Sequence, residues 1–305
     1  MRERRRILVT GGTGQIGLEL GAVKWPEGYE LFLPGRDELN LNSSEKIASY
    51  VADGNFSCII NCAAWTAVDN AEDHVSQCFL ANAQGPAWLA EAARGVGASI
   101  VHVSTDYVFD GTLARPYRET DPVGPVSTYG ASKLAGEYAV RHANPRSVVL
   151  RTAWVLSQHR TNFLKTMLRL GAERSELGVV GDQTGCPTSA KDIACAIARI
   201  ATRLLDDADP PAGVYHFVNA GEASWFELAR TIFEMAEPYG HPRPRLKGIA
   251  TSDFPTRASR PANSRLDTTK IAKDFGIAPR PWTEAIQEIV RQVLTASTDG
   301  EECGK

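Results

Sequence analysis

The chain has no Cys-x-x-Cys pair, no long apolar run, no surplus of basic charge and no internal repeat. Each absence removes a class of function. Its six cysteines, Cys58, Cys62, Cys78, Cys186, Cys195 and Cys303, are scattered, and Cys58 and Cys62 share an apolar, strand-like run. That usage fits reduced thiols in a cytosolic protein rather than a disulfide frame or a zinc site. No stretch approaches the ~18 apolar residues of a membrane span. Arg2, Arg4, Arg5 and Arg6 precede only a short strand-like run at 7–10 and then glycines, whereas a signal peptide needs an apolar region of about 7–15 residues. Neither secretion nor membrane insertion is expected, and a cytoplasmic location is. With 33 basic against 36 acidic residues and a net charge of −3, the chain lacks the basic surface of a general nucleic-acid binder. What remains is 305 residues, 43% hydrophobic and 23% charged. This is the profile of an ordinary globular protein, long enough for two domains or one large α/β unit.

Short apolar runs at 6–10, 29–33, 58–60, 99–103 and 147–150 alternate with helical patterns at 18–23, 78–94 and 131–142. The alternation predicts a Rossmann-like, doubly wound α/β domain, its parallel sheet covered on both faces and its crossovers right-handed. We place this dinucleotide-binding domain at 1–155. Beyond it the pattern loosens, with helices expected at 162–170, 191–205, 225–237 and 283–294 and strands at 179–180 and 214–218. A smaller α/β substrate-binding domain is expected at 156–297, with segments near 180–220 returning to the first sheet and a polar tail at 298–305. The proline-rich stretch 238–261 reads as a long loop of the kind that serves as a lid.

Between the first strand and the first helix stands Gly11-Gly12-Thr13-Gly14-Gln15-Ile16-Gly17. In that context Gly11 permits the tight turn, Gly14 lets backbone approach a pyrophosphate, and Gly17 allows close helix–strand packing. The helix start then offers free amides and a positive dipole end to phosphates. At the end of the second strand, Gly35-Arg36 replaces the carboxylate usual for NAD, which favours NADPH and leaves NADH open as an alternative. Ser104-Thr105-Asp106 follows the strand at 99–103, at the carboxyl edge where open α/β sheets place ligands. Tyr129 and Lys133 are four apart, so on a helix they share a face. A nearby ammonium is expected to lower the phenol pKa from about 10, making Tyr129 a proton carrier for a carbonyl oxygen with Thr105 bonding the same oxygen.

Together these motifs resemble the extended short-chain dehydrogenase/reductase superfamily. More narrowly, the chain resembles the dTDP-4-dehydrorhamnose reductase family. The resemblance is carried by Asn61-Cys62-Ala63-Ala64-Trp65-Thr66-Ala67-Val68-Asp69, Ser104-Thr105-Asp106-Tyr107-Val108-Phe109-Asp110-Gly111, Tyr129 to Glu137, Arg151-Thr152-Ala153-Trp154-Val155, Gly185-Cys186-Pro187-Thr188 and Arg260-Pro261-Ala262-Asn263-Ser264-Arg265-Leu266. It implies NADPH-dependent reduction of the 4-keto group of a nucleotide sugar, dTDP-4-dehydro-L-rhamnose. Carried over residue by residue, it implies Tyr129 as proton donor, Lys133 as its partner and a ribose ligand, and Thr105 as a tuner of the oxygen. Gly14, Gln15 and Ile16 would line the cofactor phosphates, with Ala64, Trp65 and Thr66 further along. Asn40 and Leu41 match positions near the adenine, where relatives often carry an acid. Ser104, Thr105 and Trp154 would face the substrate, with Arg257, Arg260 and Arg265 candidates for its diphosphate.

Some relatives dimerise around Mg²⁺ held by glutamates of the C-terminal region. Glu284 and Glu288 lie four apart on the last helix, a spacing common on solvated faces, so no metal is assigned and a homodimer is left open. Two other readings stay open: another nucleotide-sugar 4-keto reductase or epimerase, and a non-catalytic regulatory subunit of the same fold, like the β subunit of methionine adenosyltransferase. A 4,6-dehydratase would need Asp then Glu after the catalytic Thr, and here Tyr107 follows Asp106.

Overall fold

A computed structural model describes residues 4–302. The first half alternates strands and helices as β1 (Arg5–Thr10), α1 (Gln15–Ala22), β2 (Tyr29–Phe32), α2 (Ser44–Gly54), β3 (Cys58–Asn61), α3 (Gly85–Gly95), β4 (Ser99–Thr105), α4 (Thr128–Ala143) and β5 (Ser147–Thr152). The second half runs α5 (Phe163–Glu173), β6 (Glu176–Val180), α6 (Ala190–Asp206), β7 (Gly213–His216), α7 (Trp225–Ala236), β8 (Arg245–Ile249), α8 (Thr269–Phe275) and α9 (Trp282–Glu302).

Six strands form one sheet in the order β7-β5-β4-β3-β1-β2, every pair parallel. The strands are apolar on both faces because both faces are covered. Ile7, Val9, Cys58 and Ile60 point to one side, where Ile193, Ile197, Ile200 and Leu204 of α6 pack. Leu8, Ile59 and Ile100 point to the other, against Ile47, Val51, Leu89 and Val140. Residues 190–218 thus return to the first sheet. A second core joins α5, β6, α7 and α9 through Leu164, Leu168, Leu177, Leu228, Phe233, Ile286 and Val290.

Three expectations need correction. The stretch 238–261 is not one loop, because β8 pairs in parallel with β6 from Arg245↔Glu176 to Ile249↔Val180. Pro244 sits just before this two-stranded ladder, where its missing N–H costs no pairing. The helix expected over 78–94 is interrupted by a π-turn at Leu80–Gln84. Pro86 has no N–H to return to the Asn82 carbonyl, so the winding widens there. The last helix continues through part of the expected tail to Glu302, and residues 303–305 lie outside the described residues. Among the described residues, no helix is long and apolar enough to cross a membrane.

Candidate active site

The glycine loop links β1 to α1, and its shape is set by contacts only glycine tolerates. Gly11 has φ +73°, and a Cβ there would lie 2.6 Å from the Ala63 nitrogen. A Cβ on Gly17 would lie 2.3 Å from the Gly11 oxygen and 2.6 Å from the Gly12 Cα. Gly14 is the N-cap of α1 and brings no side-chain acceptor to the first-turn amides of Gln15, Ile16 and Gly17. That donor set suits a diphosphate oxygen. The Gln15 carboxamide is occupied elsewhere, accepting from Ser157 Oγ at 2.8 Å and Asn162 Nδ2 at 2.9 Å. Arg36 is exposed after β2. In the same turn the Glu38 carboxylate accepts from the Gly35 amide at 2.9 Å, so it turns back on the backbone. Asn40 accepts from the Asn42 amide, and the Leu41 carbonyl lies against Gly85.

Ala64, Trp65 and Thr66 follow β3. A residue the sequence reading passed over holds them: buried Asn82 accepts from the Trp65 amide at 2.8 Å and donates to its carbonyl at 3.1 Å. Its signal was an Asn among apolar positions just before Pro86, too weak alone to name a partner.

The carboxyl end of β4 and the first turns of α4 meet as the Tyr-x-x-x-Lys spacing requires. Ser127 caps α4, accepting from the Gly130 amide. Tyr129 is partly buried and packs edge-on against Tyr107, with centroids 5.9 Å apart. Thr105 donates to Asp106 Oδ1 at 2.9 Å. Buried Lys133 donates from Nζ to the Val103 carbonyl at 2.7 Å.

The electrostatics correct one expectation. Burial pushes the Tyr129 phenol up rather than down, opposed by its hydrogen bond with Thr105. The ammonium meant to lower it is spent on Val103 and is itself brought down to about 8, chiefly by burial. Asp106, also buried, is pushed up to about 7 chiefly by loss of water, and its Oδ2 has no hydrogen-bond partner.

Two substrate-facing expectations are redirected. Ser104 is buried and donates to the Glu137 carboxylate at 2.6 Å, away from the Thr105 side chain. Strand alternation sends neighbours to opposite faces, and that period was the available signal. The three loop arginines each already hold an acid: Arg257 pairs with Asp73, Arg260 with Asp69 at 2.7 Å, and Arg265 with Glu222 at 2.8 Å. Arg260 and Arg257 therefore tie the loop to the short helical turn Val68–Ala71 and to the residues just after it, and a diphosphate would compete with those carboxylates.

Trp154 holds an unusual φ of +44° for a non-glycine residue. It stacks on Trp225 at 3.5 Å and nearly parallel, an aromatic partner not foreseen. Glu288 is held by Lys191 and by Arg280. Among the described residues, no group of three or more His, Cys, Asp or Glu is placed to hold a metal ion.

A family profile described as the RmlD substrate binding domain matches residues 5–295. A dTDP-4-dehydrorhamnose reductase from Sinorhizobium fredii is 43% identical over 96% of this chain and 99% of its own length. Among solved structures, the dTDP-4-dehydrorhamnose reductase of Clostridium acetobutylicum superposes with a TM-score of 0.89 at 35% identity, covering 94% of this chain and 99% of that one. The Bacillus anthracis reductase, solved in complex with NADP, gives a TM-score of 0.88 at 33% identity, covering 95% and 99%. The chain is thus an oxidoreductase built on a parallel sheet, and it belongs to the dTDP-4-dehydrorhamnose reductase family.

Proposed function

We propose that the protein reduces the 4-keto group of dTDP-4-dehydro-L-rhamnose to dTDP-L-rhamnose with NADPH. The observation that carries this reading is the meeting of Thr105, Tyr129 and Lys133 at the carboxyl edge of β4, beside the glycine turn. NADPH, when bound along Gly14, Gln15 and Ile16, supplies the hydride. The Tyr129 phenol, kept protonated at neutral pH by burial, donates its proton to the sugar oxygen. The Thr105 hydroxyl bonds the same oxygen and holds it at the phenol. Lys133, held on the Val103 carbonyl, would bond the cofactor ribose through its ammonium, the other role the resemblance implies. Trp154, carried on Trp225, presents an aromatic surface to the nucleotide sugar.

The basic limb of kcat/KM, which reports the free enzyme, is expected near the Lys133 value of about 8. Above it the ammonium is lost and turnover falls. A flat profile from neutrality to pH well above that value would remove Lys133 from the mechanism.

Cofactor choice is assigned to Arg36, the exposed cation at the end of β2 beside a carboxylate turned back on Gly35. Arg36→Ala is expected to weaken NADPH by about tenfold or more while NADH changes little, the worth of a charge-assisted phosphate contact. Titration of cofactor fluorescence measures both, and equal losses would show that Arg36 does not read the 2′-phosphate.

The loop acts on the substrate side. Arg260→Ala breaks the pair with Asp69, so the Michaelis constant for the nucleotide sugar is expected to rise severalfold with NADPH affinity nearly intact. An unchanged constant would make the loop a passive connector.

The overall assignment is tested by following NADPH absorbance with enzymatically prepared dTDP-4-dehydro-L-rhamnose. Consumption that requires the sugar supports reduction, and cofactor binding without consumption would favour the regulatory-subunit reading.

A further inference from the structure

One face of α4 carries Tyr129, Lys133 and Glu137 at successive intervals of four, and each reaches the end of β4. Tyr129 faces Thr105, Lys133 donates to the Val103 carbonyl at 2.7 Å, and Glu137 accepts from Ser104 at 2.6 Å. The last rung is the most deeply enclosed. Glu137 is 1% exposed and Arg151 is 4% exposed. Arg151 grips the carboxylate with two bonds, Nε to Oε1 at 2.9 Å and Nη2 to Oε2 at 2.7 Å. Ser104 and Arg151 are direct partners in the β4–β5 register, so two adjacent strands converge on one helix residue. Behind Arg151 lie the Phe109 ring, 5.0 Å from its guanidinium carbon, and His216 on β7 at 3.5 Å.

We propose that Glu137, seated on Ser104 and Arg151, is a positioning residue that fixes α4 against β4 and so holds the Lys133 ammonium on Val103 below Tyr129. The inference rests on the catalytic reading of Lys133. A buried bidentate ion pair is rigid and directional, and its removal lets the helix slide by fractions of an ångström, which matters at a proton-transfer site. Charge adds to geometry. The groups that face Lys133 are Glu137 on its own helix, Cys62 after β3, Cys78 in the turn before the π-turn, and His102 on β4. Of these, His102 is held neutral by burial, and burial likewise pushes both thiols up, Cys62 to about 12. Glu137 is therefore the carboxylate that favours the ammonium against the burial that pulls it down.

The test compares Glu137→Gln, the double variant Glu137→Gln with Arg151→Gln, and Lys133→Met as a control on the underlying reading. Glu137→Gln is expected to lower kcat by about tenfold or more. It should also move the basic limb of kcat/KM to lower pH by about one unit, with the Michaelis constant for NADPH little changed. Leaving Arg151 buried and unpaired destabilises that variant, so the double variant, with both charges gone, recovers the melting temperature. If Glu137 positions Lys133, the double variant keeps the shifted limb and the low kcat. A wild-type limb and kcat in a stably folded single or double variant would overturn the proposal and leave the pair a structural brace. Normal turnover in Lys133→Met is a separate result, because it would remove the catalytic reading on which the proposal stands.

Discussion

Tyr129→Phe is expected to fold, bind NADPH and lose nearly all turnover. The change removes one hydroxyl from a ring that packs edge-on against Tyr107 and leaves that packing in place. General acid catalysis is worth about 10²–10⁴-fold, so kcat should fall by that factor. Solvent water is a poor substitute at a partly buried site. A proton given up only in the transition state adds little to ground-state binding, so the sugar's Michaelis constant should move little. Near wild-type turnover would remove Tyr129 as the proton donor, and Asp106, pushed up to about 7 and therefore partly protonated near neutrality, would be the next group to examine.

The second large effect is expected at Gly17. In Gly17→Ala the new Cβ would meet the Gly11 oxygen at 2.3 Å and Gly12 backbone at 2.6 Å. Neither is the far end of a flexible side chain, so the turn itself must shift. Overpacking of this kind costs about 1–3 kcal/mol, and displacing the first-turn amides of α1 removes their shared aim at the diphosphate. NADPH and NADH affinity should both fall by about ten- to hundredfold, unlike the Arg36 variant, which separates the two. Unchanged binding of both cofactors in Gly17→Ala would mean that the diphosphate does not sit on this turn.

The main sheet was legible because its strands are short, apolar on both faces and spaced by helical patterns. Ile7, Leu8 and Val9 alternate between two cores, and either face alone would have marked a strand. Tyr129 and Lys133 were legible because a spacing of four on a helix is local geometry. What escaped the reading depends on partners distant in the chain. Asn82 clamps Trp65 across the head of the sheet, Trp225 stacks on Trp154, and β8 finds its strand partner in β6. Arg257 and Arg260 were legible as charges, yet the acids that hold them, Asp73 and Asp69, lie nearly two hundred residues earlier. Likewise the downward shift expected for the phenol assumed a partner at the right distance, and the Val103 carbonyl, a backbone group invisible to motif reading, took the ammonium instead. Ser104 was the exception, since strand alternation already separated it from Thr105.

The measurement that reaches the central claim most directly is transfer of isotope. The protein is incubated with dTDP-4-dehydro-L-rhamnose and NADPH carrying deuterium at the transferable position, and the sugar product is examined by NMR and mass spectrometry. The account predicts dTDP-L-rhamnose with one deuterium at C4, formed by the wild type and nearly absent with Tyr129→Phe. Unlabelled product, label at another carbon, or labelled product formed equally well by Tyr129→Phe would contradict it.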